Sequence, residues 1–324
     1  MLGAVAPTPE EIAHAAAVLR AGGLVAFPTE TVYGLGADAE QPDAVRRIFS
    51  AKSRPESHPL IVHLASAREI QAWARRVPPA ALALAAKFWP GPLTMVLERA
   101  SRVPDAVTGG LDTVALRVPA HPVALALLEA FGGAIAAPSA NRFGHVSPTT
   151  AAHVREDLGD AVDVVLDGGA ATIGVESTIV DLSSNEPAML RPGGLPRDAI
   201  ETVLGRPLAS PRAGSARAPG MLPTHYAPRA RVEIARAEQL AERARACAQA
   251  GERAAIIVRG QALLVPGVDV IVLPARAQDA APRLYDALRE VDRRGVAAVF
   301  VALPEPDGLD EAIADRLRRA AGLG

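Results

Sequence analysis

Apolar positions along the chain recur with two spacings, and the alternation between them sketches the architecture. A helical spacing runs over Glu10–Arg20 and stops at Gly22-Gly23; the short unbroken run Leu24–Phe27 that follows reads as a buried strand. Thr8-Pro9-Glu10-Glu11 supplies that helix with a capping hydroxyl, a first-turn proline and early carboxylates. Further strands are predicted at Leu60–Leu64, Leu93–Leu97, Thr113–Val118, Ala134–Ala137, Val162–Leu166 and Thr178–Leu182. Helices near Ala44–Ala51, Ala80–Ala86, Pro122–Phe131 and Thr149–Leu158 separate several of them. Between Val162 and Leu182 no helix intervenes, so those two strands are expected to pair antiparallel. The pattern predicts an α/β fold with a mixed twisted sheet and helices packed on it.

Beyond residue 205 the pattern changes. Pro207, Pro211, Pro219, Pro223 and Pro228 fall among glycine, serine and arginine, a composition that reads as a linker over 206–231. The expected division is 1–205, this linker, and 232–324. In the last part, strands at Val232–Ala235, Ala254–Val258, Val268–Leu273 and Val296–Leu303 alternate with helices near Glu238–Ala250, Arg283–Arg293 and Leu309–Ala320. That is the pattern of a smaller Rossmann-like parallel α/β domain. It lacks a G-x-G-x-x-G fingerprint, so no dinucleotide is assigned to it.

Composition narrows the function classes. The chain has 324 residues, 49% hydrophobic and 22% charged, with net charge −2; it offers no broad basic field for nucleic acid. Cys247 is the one cysteine, which excludes an internal disulfide and a multi-cysteine zinc site and reads as a small buried residue. No signal-peptide pattern opens the sequence and no stretch is apolar enough to span a membrane, so a cytoplasmic enzyme is expected. Only Lys52 and Lys87 are lysines among 34 basic residues, which makes Lys52 conspicuous.

Five segments concentrate chemistry. Phe27-Pro28-Thr29-Glu30-Thr31-Val32-Tyr33-Gly34-Leu35-Gly36 places hydroxyls at a strand end, suited to a small polar ligand or simply to a strand-to-helix turn. Lys52-Ser53-Arg54-Pro55 sets two cations beside a stiffened loop, which suits phosphate oxygens as well as a solvated helix end. His58 and His63 lack zinc-pair spacing. Ala137-Pro138-Ser139-Ala140-Asn141 with Ser147, Gly174–Asp181, and Leu190-Arg191-Pro192-Gly193 each read alone as turns.

In this order, the five segments closely resemble the threonylcarbamoyl-AMP synthase family, with its YrdC-like fold. Pro219-Gly220-Met221 and His225-Tyr226-Ala227-Pro228, with the terminal Asp315–Ala321 helix, resemble the long form with a Rossmann-like C-terminal domain. The resemblance implies L-threonine, bicarbonate or carbon dioxide, and ATP as substrates, with Mg²⁺ held mainly by the ATP phosphates. It implies ATP contacts from Lys52, Arg54, His58, Thr113, Ser139, Asn141, Ser147, Arg191 and Tyr226, with Lys52 and Arg54 catalytic. L-Threonine would be held by Thr31, His63, Arg117, Ser177 and the backbone at Ala137, and His63 is a candidate base for the amine. The linker would fold as a strap over the ATP site. The product would pass to a tRNA threonylcarbamoyl transferase for modification next to the anticodon, with at most transient tRNA contact. An RNA-binding YrdC-like module without adenylate synthesis is the alternative. A hydrogenase-maturation carbamoyl transferase would need paired C-x-x-C motifs, which one cysteine cannot supply.

Overall fold

The computed structural model describes residues 6–211 and 225–323. Contacts divide them into two compact units. The first takes the residues up to Phe143, Pro148–Thr172 and Glu176 onward; the second takes Gly144–Ser147, Ile173–Val175 and the C-terminal part. Part of the linker and the Pro219–Thr224 portion of its signature lie outside the described residues.

In the first unit, α1 (Pro9–Arg20) opens as its sequence dictates, with Thr8 and Glu11 forming a reciprocal capping box. There follow β1 (Val25–Phe27), β2 (Gly34–Asp38), α2 (Pro42–Lys52), β3 (Ile61–His63), α3 (Ile70–Trp73), β4 (Ala74–Arg76) and α4 (Pro79–Phe88). Then come β5 (Leu93–Arg99), α5 (Asp105–Thr108), β6 (Thr113–Arg117), α6 (Pro122–Phe131) and β7 (Ile135–Ala137). The unit closes with α7 (Ala151–Leu158), β8 (Val164–Val165), β9 (Thr178–Asp181), β10 (Ala188–Arg191) and α8 (Arg197–Leu204). Its mixed sheet runs β10-β9-β5-β6-β3-β7-β2-β1-β8, with β4 added beside β5.

Two expectations are corrected. The strands at Val162–Leu166 and Thr178–Leu182 do not pair with each other. β8 lies parallel to β1 at one edge, while β9 sits between β10 and β5, parallel to the latter. Absence of a helix between two strands therefore did not make them neighbours: a long connection spans the sheet. The segment after Phe27 leads not to a helix but to β2, antiparallel to β1. Its glycines concealed a strand. A Cβ on Gly36 would stand 2.6 Å from Ile135 Cγ2 and 2.9 Å from Phe27 Cε1, so the sheet closes there only over a bare backbone.

Directly paired residues share a sheet face. Val62, Leu116, Met95, Val180 and Met189 are paired in succession across β3, β6, β5, β9 and β10, and all join the main hydrophobic core. The opposite face is built from the alternate positions. Ile61, Ala115, Val96, Ile179 and Leu190 form a small apolar floor there. Helices pack on the first face. On the second, α1 and α6 cover the part formed by β1 and β7. The remaining part along β3, β6, β5, β9 and β10, the open face, is the one whose polar residues carry information about function.

The second unit contains β11 (Arg231–Ile234), α9 (Leu240–Gln249), β12 (Ala254–Arg259), β13 (Asp269–Leu273), α10 (Ala277–Arg293), β14 (Ala298–Val301) and α11 (Leu309–Ala320). All pairs in its sheet, β11-β14-β12-β13, are parallel. This is the Rossmann-like arrangement that the alternating pattern predicts. Helix α10 begins at Ala277 rather than Arg283, passing through Pro282 with the loss of one ladder bond. Cys247 is part-exposed rather than buried, and burial together with Glu252 raises its thiol pKa. No helix of the described residues is long and apolar enough to cross a membrane.

Candidate active site

Register places the polar residues of the open face in two groups at the two ends of β3. At its C-terminal end His63 pairs with Arg117 on β6. The row continues through Thr94 on β5, Ile179 on β9 and Arg191 on β10. Ser177, just before β9, bonds Thr94 through its hydroxyl at 2.7 Å. Arg191 donates to the Ser177 carbonyl at 2.9 Å and to its hydroxyl at 3.3 Å. Every one of these polar side chains is buried.

Arg117 is the most constrained. Its Nη2 donates to Glu30 Oε1 at 2.7 Å, Nη1 to Thr31 Oγ1 at 2.9 Å, and Nε to the Gly91 carbonyl at 3.2 Å. Thr31 in turn meets Thr29 Oγ1 at 2.8 Å. The loop between β1 and β2 thus reaches over the open face and docks on β6. His63 is neutral. Burial first, and the Arg117 charge second, push its pKa down to about 3, and its Nδ1 is buried with no hydrogen-bond partner among the described residues. An unpartnered buried ring nitrogen is costly without a ligand to satisfy it.

At the other end, Lys52 closes α2 and is 2% exposed. Its Nζ donates to the Ser139 carbonyl at 2.6 Å and to the Asn141 carbonyl. Burial and the neighbouring Arg54 hold its pKa well below the usual lysine range, with Asp157 acting the other way. Ser53 adopts a left-handed φ of 52°, which turns the chain so that Arg54 also enters the protein. Arg54 donates to the Pro59 carbonyl at 3.1 Å and lies over the Phe143 ring, on which the His58 ring also packs edge-on. Ala137 pairs with Ile61 and Ala115 pairs with Ile61, so Ser139 and Thr113 fall in register with Pro59. Lys52, Arg54, His58, Thr113, Ser139 and Asn141 therefore gather at the N-terminal end of β3. From Pro59 to His63 the chain spans no more than about 14 Å.

The structure thus places the expected residues of the first unit in two sets toward the two ends of β3, with Arg191 standing at the Arg117 end of the sheet. Ser147 and Tyr226 belong to the second unit, where Tyr226 is buried, stacked on Tyr285 and covered by the Arg316 guanidinium. Glu30 and Thr94 had no assigned role in the sequence. Glu30, a carboxylate between the hydroxyls of Thr29 and Thr31, and Thr94, one hydroxyl in an apolar strand, gave no signal of the partners they take.

The neutral state of His63 predicts an acid-sensitive fold. Between pH 6.5 and 3 the unfolded chain binds a proton that the folded chain refuses, so stability falls as pH drops through that window, by up to about 1.4 kcal/mol per pH unit. His63→Asn should remove that slope, read from urea melts at pH 4 and pH 7.5; equal slopes in the two proteins would contradict it. An imidazole held at this pKa is also too weak a base to take the proton of an amine near neutral pH.

Comparisons with known proteins show the family. Residues 17–193 match the Sua5/YciO/YrdC family described as telomere recombination, and residues 195–322 match the threonylcarbamoyl-AMP synthase C-terminal domain. The threonylcarbamoyl-AMP synthase of Pyrococcus abyssi is 44% identical, over 96% of this chain and 94% of its own. That of Bacillus subtilis is 41% identical, over 96% and 93%. The crystal structure of P. abyssi Sua5 complexed with L-threonine superposes with a TM-score of 0.92, covering 98% of this chain and 95% of that one at 44% identity. With both sequence domains matched and the fold shared along nearly its whole length, the chain belongs to the threonylcarbamoyl-AMP synthase family.

Proposed function

We propose that this protein joins L-threonine, bicarbonate or carbon dioxide, and ATP into threonylcarbamoyl-adenylate, releasing pyrophosphate. The observation that carries the reading is the sheet face itself. It holds Lys52 and Arg54 at one end of β3, and Arg117, Thr31 and Ser177 at the other, within reach of one bound nucleotide and one amino acid.

Arg117 keeps two N–H groups beyond its three protein bonds, one on each terminal nitrogen, a fork suited to an amino-acid carboxylate. The Ser177 and Thr31 hydroxyls and His63 Nδ1 surround that position, with the Ala137 backbone opposite Ile61. The neutral threonine amine attacks the carbon of carbon dioxide, or of bicarbonate with cleavage of a C–O bond and loss of water. Its proton passes to solvent or to the departing hydroxide, leaving a carbamate. A carbamate oxygen then attacks the α-phosphorus of ATP, the bond to the bridging oxygen breaks, and pyrophosphate leaves. Lys52 retains one N–H after its two carbonyl bonds, and with Arg54 it meets the charge of the phosphates. Because the nucleophile is already an anion, positioning and charge cancellation dominate over base catalysis.

Thr113, His58, Ser139 and Asn141 line the same end. The oxygens of Thr113, Ser139 and Asn141 would suit a hydrated Mg²⁺ carried by the triphosphate, a hard ion that keeps several waters and needs no carboxylate cage. Arg191, anchored on Ser177, adds a third cation to the face. The roles of Ser147 and Tyr226 toward ATP and the strap role of the linker rest on the family resemblance, and the division at residues 205 and 231 rests on the change in composition there. Passage of the product to a tRNA-modifying transferase rests on that resemblance too, and a cytoplasmic location rests on the sequence pattern alone.

The test is incubation with ATP, labelled bicarbonate and each amino acid in turn. Threonine-dependent pyrophosphate release with label in an adenylate is expected. Salt-sensitive RNA binding without that release would favour the RNA-binding alternative instead.

A further inference from the structure

Two hydroxyls on the open face are bonded to each other, and which of them gives its proton decides what the site can hold. Thr94 Oγ1 and Ser177 Oγ lie 2.7 Å apart, and both residues are buried. Each hydroxyl has one proton and two lone pairs. Ser177 Oγ also accepts from Arg191 Nη2 at 3.3 Å, so one of its lone pairs is committed to a group that can only donate. The Thr94 hydroxyl has no second partner among the described residues. If Ser177 donated to Thr94, the Thr94 proton would stay without an acceptor inside β5, a cost that buried donors rarely bear. If Thr94 donates to Ser177, the proton left over is that of Ser177, and a ligand oxygen can take it. Thr94 is also the stiffer member of the pair, because branching at Cβ restricts its χ1.

Resting on the reaction above, we propose that Thr94 is a positioning residue for the amino-acid substrate: it donates to Ser177 Oγ, fills that oxygen's second lone pair, and turns the Ser177 proton toward the substrate as a donor. The matching ligand atom is a carboxylate oxygen; an ammonium has no lone pair to offer. With both lone pairs held by donors, one of them a guanidinium, the Ser177 O–H is polarised and donates more strongly. Two groups share this chemistry, the α-carboxylate of threonine and the carbamate formed on its amine.

Thr94→Val keeps the branched shape of the strand residue and removes its proton. With the full chain, L-threonine binding is read by calorimetry in bicarbonate-depleted buffer without nucleotide, and kcat/KM for threonine is read with all three substrates present. Thr94→Val should lower one or both by about tenfold while KM for ATP stays unchanged, the scale of one hydrogen bond to a charged group. Thr94→Ser, which keeps the proton, should remain close to wild type. In a Ser177→Ala background the loss from Thr94→Val should shrink to within about twofold, because the group it acts through is gone. A loss already present without bicarbonate assigns the Ser177 proton to the α-carboxylate, and a loss confined to turnover assigns it to the carbamate. Equal losses with and without Ser177, as from a residue that merely packs the strand, overturn the proposal. So do unchanged binding and unchanged kcat/KM in folded Thr94→Val, the result expected if Ser177 donated to Thr94. Should Thr94→Val not fold, Thr94→Ala carries the same comparison against Thr94→Ser. Failure of the reaction itself is read separately, as absence of threonine-dependent pyrophosphate release in the wild type.

Discussion

Replacing Lys52 by methionine is expected to lower kcat/KM for ATP by about 10²- to 10³-fold, the usual scale for removing one group that meets charge in the transition state. Methionine fills a similar apolar volume, so packing at the end of α2 should survive. The loss falls instead on the Ser139 and Asn141 carbonyls, which lose their donor at about 1–3 kcal/mol each if no water replaces it. Part of that is offset, because a buried ammonium no longer has to be kept out of water. Threonine affinity, measured by calorimetry without nucleotide, should be unchanged, since Arg117 and Thr31 lie at the opposite end of β3. Activity within tenfold of wild type would show that the buried ammonium does not serve the phosphates.

Gly193→Ala should be strongly destabilising. A Cβ there would stand 2.4 Å from the Glu176 carbonyl oxygen, the Ser177 carbonyl carbon and the Thr178 nitrogen, all backbone atoms that cannot rotate away. The two segments are also stitched together. Gly194 donates to the Glu176 carbonyl at 2.9 Å, and Thr178 Oγ1 bonds Leu195 in both directions. Relief requires the strand that presents Ser177 to move, and with it the anchor of Arg191. Overpacking of this kind costs about 3 kcal/mol, which for a unit of this size lowers Tm by roughly 6–12 °C. Weaker threonine binding should accompany it. A Tm within about 2 °C of wild type would mean the loop yields more easily than the contacts imply.

The candidate site was legible as segments but not as a geometry. Lys52-x-Arg54, Ser139-x-Asn141 and Arg191 read singly as a helix end or turns, and stood out only through their combined order along the chain, which resembles one family. Their distribution between the two ends of β3 depended on strand order, which places β3 between β6 and β7. Glu30 was in plain view beside Thr29 and Thr31, yet its partner is 87 residues away on another strand. The misread connection from β8 to β9 has the same origin: apolar alternation reports which face a residue takes, whereas the neighbour of a strand depends on how all strands compete for burial.

Local pattern by itself determined most element types, the capped start of α1, the parallel second sheet and the polar segments near which chemistry would sit. These follow from period, capping and turn chemistry, which act over a few residues. Tertiary structure alone decided that β2 is a strand, that Arg117 is balanced by Glu30, and that His63 is held neutral. Each depends on close approach, charge pairing or exclusion of water between segments far apart in the chain, and a linear order of residues does not encode those distances.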